Sequence, residues 1–404
     1  MGALYEKTVA LDAAFHMPTY ARKPVMFVRG EGMRLYDDDG REYLDFVSGI
    51  GAVNLGHSHP AVVAAVREQI GKLTHVSNLY HVEHRDELAA DIVAHFGGRA
   101  QVFFSNSGAE AVEGAIKLAR RWGREQHGAE CYRIVTAERS FHGRTLATLA
   151  ATGQPSKQEA FEPLPEGFSH VPLNDIAALE AAVGPGTCAV MLEPVQGEGG
   201  VFVCDVEYLR AVRRLCDDRG VLLVLDEVQT GCYRTGPVFA HQAFGALPDI
   251  MTLAKSLANG LPIGAVVART EVAASFQPGD HGSTFGGGPV VCAAGRAALR
   301  ALSEERLGEN AEAVGAYLRE RLVALAADTG AIAEVRGLGL LDAIELKTPT
   351  APEIAAAMLA RGLVVNSIGT SVLRILPPLM CEKPQIDTLL DALYENLDHV
   401  SSQV

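Results

Sequence analysis

The sequence VLLVLDEVQ at residues 221–229 joins a short, uninterrupted apolar run to a polar end. Runs of this kind are typical of strands that are buried on both faces of a parallel sheet. Further runs of the same character lie at residues 101–105 (QVFFS), 133–136 (RIVT), 188–192 (CAVML) and 251–254 (MTLA). Helical patterns at 108–122 and 206–219 lie between them, and this alternation predicts an α/β fold with a mostly parallel sheet.

The two ends of the chain follow a different pattern. Residues up to about 45 contain short segments joined by an Asp-Asp-Asp-Gly turn at 37–40, and a long helical stretch is predicted from Pro289 to Ala327. Strand-like segments at 334–346 and 363–367, a helix at 352–361 and a closing helix from Lys383 complete the chain. We therefore predict an N-terminal segment at 1–45 that packs with a small domain, a large domain at 46–288 and a small α+β domain at 289–404.

Composition excludes several classes of partner. The chain has 404 residues, and 35 Lys and Arg against 49 Asp and Glu give a net charge of −14. Because an acidic protein repels phosphate backbones and anionic lipids, we expect neither nucleic acid nor a membrane as a partner. The seven cysteines form no CxxC pair and no HExxH motif occurs, so no metal site is expected. The absence of a signal-peptide pattern and of a membrane-spanning apolar stretch makes the cytoplasm the expected location.

The first candidate site lies where the strand at 101–105 meets the following helix, at residues 105–110 (SNSGAE). Ser107 and Glu110 have the spacing of a capping box, and Gly108 and Ala109 are small enough to let an anion approach the backbone. Helix N-termini present unpaired N–H groups that suit a phosphate. Taken alone, the motif favours an ordinary capped helix over a phosphate site.

Two charged residues follow buried strands. Asp226 comes directly after the run at 221–225, at the sheet edge where α/β enzymes bind ligands, although a helix cap or an ion pair would also explain it. Lys255 follows the strand at 251–254 and precedes small residues. A surface position would explain this lysine, but a buried one requires neutralisation of its amine, which a Schiff base with an aldehyde cofactor provides.

Two further segments carry suitable groups. Residues 141–145 (FHGRT) place Phe141, which can stack on a planar ring, near Arg144, which can bind a carboxylate. Residues 281–288 (HGSTFGGG) form a Gly-rich loop in which the hydroxyls of Ser283 and Thr284 can reach a phosphate. Neither segment is specific by itself; the order of all these motifs along one chain is far more specific.

With this set of motifs, the chain resembles the class III (omega) aminotransferases of pyridoxal phosphate (PLP) fold type I, especially the acetylornithine aminotransferase branch. The resemblance covers nearly the whole chain and includes residues 55–60 (LGHSHP), 193–200 (EPVQGEGG), 262–265 (PIGA) and 373–378 (LRILPP). It implies a large PLP-binding domain, a small α+β domain and a homodimer with a shared active site.

The resemblance also implies roles for individual residues. Lys255 would hold PLP as a Schiff base and then move the proton of the reaction. The remaining cofactor contacts would be Asp226 at the pyridine nitrogen, Gln229 at the ring hydroxyl, Phe141 and Val228 on the ring faces, and Gly108, Ala109 and the partner subunit's Thr284 at the phosphate.

Substrate contacts follow from the same resemblance. Arg144, with Ser283 nearby, would bind the carboxylate of an N-acetylated ornithine. Arg374 would bind the α-carboxylate of glutamate or 2-oxoglutarate, and Glu193 would pair with Arg374 when no such carboxylate is present.

The predicted reaction is transamination of N2-acetyl-L-ornithine with 2-oxoglutarate, giving N-acetyl-L-glutamate 5-semialdehyde and L-glutamate, a step of arginine biosynthesis. Other amino donors remain open, namely 4-aminobutyrate, ornithine, succinylornithine or a carrier-linked lysine precursor. A PLP-dependent racemase or decarboxylase and a non-catalytic PLP-binding module are alternatives of other classes. Three residues depart from the family pattern: Val112 and Gly288 stand where Asn is usual, and Tyr233 stands where Gly is usual.

Overall fold

The computed structural model describes residues 2–401. Its strands are β1 (Phe27–Glu31), β2 (Arg34–Asp37), β3 (Glu42–Asp45), β4 (Ala100–Ser105), β5 (Arg133–Ala137), β6 (Phe168–Val171), β7 (Thr187–Leu192), β8 (Val195–Gln196), β9 (Phe202–Val203), β10 (Leu222–Asp226), β11 (Ile250–Leu253), β12 (Gly264–Arg269), β13 (Ile332–Leu338), β14 (Leu341–Leu346), β15 (Leu363–Val364), β16 (Asn366–Ile368) and β17 (Val372–Ile375).

The helices are α1 (Ala3–Phe15), α2 (Ser48–Gly51), α3 (Pro60–Ile70), α4 (Arg85–Phe96), α5 (Gly108–His127), α6 (Leu146–Ala151), α7 (Pro155–Gln158), α8 (Ile176–Ala182), α9 (Val206–Arg219), α10 (His241–Phe244), α11 (Thr270–Ala273), α12 (Pro289–Glu304), α13 (Leu307–Thr329), α14 (Ala351–Ala360) and α15 (Lys383–Ser401). Short 3₁₀ turns occur at Glu159–Phe161 and Lys255–Ala258. In this described part of the chain, no helix is both long and apolar enough to span a bilayer.

The apolar runs form one seven-stranded sheet in the order β4-β12-β11-β10-β7-β5-β6. Neighbours from β11 to β6 pair in parallel, which confirms the predicted α/β fold with a mostly parallel sheet. The exception, β12, is antiparallel to both β11 and β4 and was not predicted. Its connection from β11 contains only a 3₁₀ turn and no crossover helix, and a short connection returns the chain antiparallel to the preceding strand.

Both faces of this sheet are covered, which explains why its strands are apolar without alternation. On β10, Val224 packs on one side with residues of α5 such as Ala115 and Ile116. Leu223 and Leu225 point to the other side, where they pack with residues of α9. The buried face of α9 includes Leu209, Val212 and Leu215, as its sequence pattern predicts.

The N- and C-terminal regions share a sheet. Its order is β1-β2-β3-β15, and β3 pairs in parallel with β15, so strands from the first and last parts of the chain lie side by side. A second four-stranded sheet, β13-β14-β17-β16, belongs to the C-terminal region. The domain boundaries at 45/46 and 288/289 stay a prediction.

Three details differ from the sequence prediction. The helical stretch expected from Pro289 to Ala327 is divided into α12 and α13, because Arg306 has φ +54° and a left-handed residue breaks a right-handed helix. The strand expected at 363–367 is divided into β15 and β16, which belong to different sheets. Near the N-terminus, α1 forms in a segment with no predicted element.

Candidate active site

A cavity of about 370 Å³ lies at the carboxyl ends of β10 and β11. This is the sheet edge at which an α/β fold is expected to bind its ligand. The cavity brings together most of the predicted site residues: Gly108, Ala109, Phe141, Arg144, Glu193, Asp226, Val228, Gln229 and Lys255. Their separation in sequence is large, so the sheet topology assembles the site.

Asp226, the last residue of β10, is held by three hydrogen bonds. Its Oδ1 accepts from the backbone N–H of Val228 and from the hydroxyl of Thr252, each at 3.1 Å. Its Oδ2 lies 2.8 Å from Nδ1 of the buried His142. Burial lowers the pKa of His142, but the hydrogen bond and charge of Asp226 outweigh burial and raise that pKa overall. The carboxylate is therefore fixed in orientation, and its charge favours the protonated form of the histidine behind it.

Lys255 opens the 3₁₀ turn after β11 and has φ +47°. Part of its side chain faces the cavity while protein surrounds the rest, and burial lowers the pKa of its ammonium to about 8. The charge of Arg374 lowers the pKa further, whereas Glu198 and Asp226 act in the opposite direction. An amine that loses its proton so close to neutral pH is a far better nucleophile and proton carrier than an exposed lysine.

The N-terminus of α5 forms one end of the cavity. Ser107 is its N-cap, and its Oγ accepts the backbone N–H of Glu110 at 3.2 Å. The Glu110 carboxylate accepts the backbone N–H of Asn106 at 2.6 Å, one residue earlier than in an ideal capping box. A Cβ on Gly108 would lie 2.8 Å from a methyl of Val228. A side chain at position 108 would have to displace Val228, and the bare glycine leaves the backbone N–H groups open to an anion.

Arg374 does not itself line the cavity; it is almost fully buried beside Glu198 and Gln229, which do. Its guanidinium donates to Asn366 Oδ1 at 2.7 Å and forms an ion pair with Glu198 Oε1 at 2.6 Å. Gln229 Oε1 lies 3.4 Å from the same guanidinium. Burial raises the pKa of Glu198, but the charges of Arg374 and Lys255, together with the hydrogen bonds from Arg374 and Gln229, outweigh burial and lower that pKa overall.

The resemblance implied that Glu193 would pair with Arg374. In the structure the partner of Arg374 is Glu198, so this implication is wrong. Glu193 instead accepts the backbone N–H groups of Phe141 at 2.9 Å and Gly197 at 3.4 Å. Burial raises the pKa of Glu193 to about 7. Both glutamates belong to the same eight-residue motif at 193–200, and only the turn after β7 decides which of them faces the arginine.

Arg144, Ser283 and Thr284 differ in their relation to the cavity. Arg144 lines it and is exposed, with its guanidinium carbon 5.5 Å from the centre of the Phe141 ring. Ser283 and Thr284 line a separate groove. The Ser283 hydroxyl accepts from Asn106 Nδ2 at 3.1 Å, which ties the Gly-rich loop to the strand end before α5. Within one chain, Thr284 is not brought to the cavity.

The departures from the family pattern lie outside the cavity. Val112 is buried in the core between α5 and the sheet. Tyr233 has φ +68° and packs half-buried against the main core, so it keeps the left-handed backbone that a glycine would adopt there. Gly288 is the N-cap of α12 with φ −61°, a conformation that any residue can adopt.

Sequence reasoning missed three contributors, namely His142, Glu198 and Asn366. His142 and Glu198 belong to motifs that the sequence comparison includes, but nothing in either motif states that the side chain points at a carboxylate or an arginine. Asn366 had no sequence signal, because it reaches Arg374 through the antiparallel pairing of β16 with β17. Among residues 2–401, no group of three or more His, Cys, Asp or Glu is arranged to hold a metal ion.

Comparison with known proteins identifies the family. The model of the family Aminotransferase class-III matches residues 17–397. The chain belongs to the class-III aminotransferase family. An acetylornithine aminotransferase from Caldanaerobacter subterraneus subsp. tengcongensis is 48% identical to this aminotransferase over 97% of the chain and 99% of its own length.

Solved structures agree with this assignment. The ornithine aminotransferase from Toxoplasma gondii ME49 superimposes with a TM-score of 0.95 at 33% identity, over 99% of this chain and 96% of that one. The acetylornithine aminotransferase from Elizabethkingia anophelis gives 0.87 at 35% identity, over 97% and 98%. The predicted family, PLP fold type I and transaminase class are thereby confirmed.

Pyridoxal phosphate is the cofactor of this family, and the cavity fits it. The crowding at Gly108 leaves room for a phosphate only against bare backbone at the N-terminus of α5. The carboxylate of Asp226 offers a charged acceptor for a protonated ring nitrogen, with His142 behind it. Lys255 supplies an amine of lowered pKa. The helix N-terminus thus matches the phosphate of pyridoxal phosphate, the Asp226 carboxylate matches its protonated ring nitrogen, and the Lys255 amine matches its aldehyde.

Proposed function

We propose that this aminotransferase moves the δ-amino group of N2-acetyl-L-ornithine to 2-oxoglutarate, which gives N-acetyl-L-glutamate 5-semialdehyde and L-glutamate in arginine biosynthesis. The proposal depends on the two arginines at the site: the buried Arg374 is paired with Glu198, whereas the exposed Arg144 has no carboxylate within 4.0 Å among residues 2–401. Curated relatives that are 46% to 49% identical to the chain are named acetylornithine aminotransferases.

In this proposal, residues that line the cavity hold each part of the cofactor. Asp226 holds the ring nitrogen, Phe141 and Val228 contact the ring faces, and the N–H groups of Gly108 and Ala109 hold the phosphate. When bound, pyridoxal phosphate supplies an electron sink that stabilises negative charge on the carbon bearing the amino group. Lys255 Nζ removes a proton from that carbon as a general base and then donates it to the cofactor as a general acid.

Two different substrates can use this one cavity because Arg374 has an internal partner. An ω-amino donor has no carboxylate on the reacting carbon, and Glu198 then neutralises Arg374 at 2.6 Å. 2-Oxoglutarate carries a carboxylate there, which takes the place of Glu198 on the guanidinium. Arg144 binds the distant carboxylate of the donor and so fixes the position of its reacting end.

We also propose a cytoplasmic homodimer in which Thr284 of the partner subunit completes the phosphate site. Thr284 lies on a Gly-rich loop in a groove of its own. A hydroxyl there contributes to a cofactor site only if a second copy of the chain is present.

Steady-state kinetics over a panel of amino donors, with glutamate formation as the readout, tests the reaction. The panel contains N2-acetylornithine, ornithine, 4-aminobutyrate and N2-succinylornithine, each with 2-oxoglutarate. We expect the highest kcat/KM for N2-acetylornithine. If N2-acetylornithine ranks last, the donor assignment is wrong, and a different top-ranked ω-amine replaces it without changing the reaction class.

A further inference from the structure

The hairpin that carries Glu198 contains a strained residue. Strands β8 and β9 pair in antiparallel fashion, and residues 197–201 connect them, so that Glu198 lies in the connection. Val201 is fully buried and has φ +60°. A β-branched residue adopts this left-handed conformation only at a cost, so the surrounding contacts must hold it there. The place of Glu198 therefore depends on what fastens this hairpin.

Arg336 of β13 fastens the hairpin on both sides of the strained residue. Its Nε and Nη2 both donate to the carbonyl oxygen of Gly200, at 3.1 Å and 2.9 Å. Its guanidinium carbon lies 4.2 Å from the centre of the Phe202 ring, within the range of a cation–π contact. Gly200 and Phe202 are the two chain neighbours of Val201, so one guanidinium holds the backbone before it and the side chain after it.

Arg336 is itself fixed from its other edge. Its side chain is 6% exposed, and its Nη1 forms ion pairs with Glu334 Oε2 at 2.6 Å and Glu345 Oε2 at 2.5 Å. Glu334 lies on β13 and Glu345 on β14. A charged group that is held by two carboxylates and chelates one carbonyl has little freedom to move. The guanidinium thus joins the C-terminal sheet to the Glu198 hairpin.

Arg374 belongs to the same face of that sheet. Ala343 of β14 is the register partner of Arg336 on one side and of Arg374 on the other, and directly opposite residues of antiparallel strands point to the same face. An apolar cluster packs this face against the hairpin, and its members are Val195, Val201, Leu341, Ala343 and Leu376.

The pairing of Glu198 with Arg374 thus depends on how the hairpin sits on the sheet. The two side chains come from different elements, and their 2.6 Å contact exists only while hairpin and sheet keep their places. Glu198 and a substrate carboxylate compete for one guanidinium, so a contact that holds Glu198 there lowers the apparent affinity for the carboxylate.

We propose that Arg336 is a positioning residue that holds Glu198 against Arg374 and thereby favours amino donors without a carboxylate on the reacting carbon over donors that have one. This inference rests on the proposed function and deepens it. With the hairpin fastened, Glu198 neutralises Arg374 whenever an ω-amino donor is bound. With the hairpin loosened, Arg374 is more often free, which favours a substrate that brings its own carboxylate.

The test compares kcat/KM for two donors, N2-acetylornithine in the forward reaction and L-glutamate in the reverse reaction. In Arg336→Met we expect about a tenfold loss for N2-acetylornithine, the size of one charge-assisted hydrogen bond. For L-glutamate we expect a gain of roughly threefold to tenfold, because Arg374 is more often free. Arg336→Lys keeps the charge and one donor, so its changes should have the same signs and be smaller. It also decides the question if Arg336→Met does not fold.

Arg319→Met is the matched control. Arg319 likewise donates to a loop carbonyl, that of Gly339 at 2.9 Å, and pairs with a carboxylate, Asp342 Oδ1 at 2.7 Å. Both of these partners lie outside the Glu198 hairpin. Loss of Arg319 therefore removes the same kinds of contact from the same sheet, and it should change kcat/KM for the two donors by one common factor.

Binding of glutarate to the cofactor-loaded enzyme gives a readout without turnover. Glutarate carries the two carboxylates of 2-oxoglutarate and no group that reacts, and Arg336→Met should lower its dissociation constant by roughly threefold to tenfold. A raised or unchanged dissociation constant, or equal losses of kcat/KM for both donors, would show that Arg336 does not control the Glu198 pair and would overturn the proposal. A wild type that does not use N2-acetylornithine would instead refute the proposed function, and the glutarate comparison would still decide the role of Arg336.

Discussion

Lys255 joins nucleophile and proton carrier in one side chain, so its removal has a large and specific effect. In Lys255→Ala we expect kcat to fall at least about 1,000-fold, because general acid–base catalysis and nucleophilic activation are lost together. Glutamate formation from N2-acetylornithine measures the change. Lys347→Ala, at an exposed position, should leave kcat unchanged. A Lys255→Ala variant with near wild-type turnover would exclude the proposed mechanism.

Glu193 makes the stability of the cofactor-free protein depend on pH. Burial raises its pKa from 4.5 to about 7, so between these values the folded state holds a proton that the unfolded state has released. This proton uptake stabilises the folded state fully below about pH 4.5. The contribution declines as the pH rises above 4.5 and is lost once the pH has passed about 7. The wild type should therefore become less stable across this window, by roughly 3 kcal/mol from this group.

Glu193→Gln removes this titration. We expect its free energy of unfolding to vary less between pH 5 and pH 8 than that of the wild type, in urea melts at several pH values in this range. Wild-type and Glu193→Gln curves that run parallel would show that Glu193 titrates normally in the folded chain.

At the scale of elements, the contact between α5 and the turn after β10 shapes the phosphate end of the site. A Cβ at position 108 would lie 2.8 Å and 3.2 Å from the two methyl groups of Val228. Gly108→Ala should displace Val228 from the place on the cofactor ring that we propose for it, at a cost of about 1–3 kcal/mol for overpacking. We expect about a tenfold or greater rise in the dissociation constant for pyridoxal phosphate, measured by quenching of intrinsic fluorescence.

Gly184→Ala is the matched control for this substitution, because a Cβ there meets no atom within 4 Å. It should retain wild-type cofactor affinity. Equal affinities for Gly108→Ala, Gly184→Ala and the wild type would mean that the phosphate does not approach this helix terminus.

At the scale of the whole molecule, an apolar patch surrounds the Gly-rich loop. Leu79, Tyr80 and Phe285 are 85%, 64% and 64% exposed. Asn78 Nδ2 joins the two segments by donating to the carbonyls of Ser283 and Gly286, both at 2.9 Å. Large apolar side chains gathered at one place are typical of an interface.

We expect the wild type to sediment as a dimer and the double variant Leu79→Asp with Phe285→Asp to sediment as a monomer, because charge is placed in the buried interface. The monomer should also bind pyridoxal phosphate more weakly, since the proposed contact from Thr284 of the partner subunit is lost. Phe161→Asp is a control, because Phe161 is 57% exposed and lies in the 3₁₀ turn at Glu159–Phe161 and not in the patch. A wild type that is monomeric at micromolar concentration would contradict this prediction.

Much of the fold and of the site could be predicted from local sequence. Uninterrupted apolar runs identified five of the seven strands of the large sheet, since residues such as Leu223 and Val224 are apolar whichever face they point to, whereas β6 and β12 were not predicted. Spacing identified the cap at Ser107 and the polar ends of the strands at Asp226 and Lys255. Local patterns could not predict the break at Arg306 or the antiparallel direction of β12.

The sequence by itself determined the α/β class, the family and the chemical groups available, because burial pattern and residue type are properties of short segments. Only the tertiary structure decided that Arg374 pairs with Glu198 and that His142 supports Asp226. These pairs join residues 176 and 84 positions apart. Their distance depends on how sheets and turns pack in three dimensions, and no local pattern records that packing.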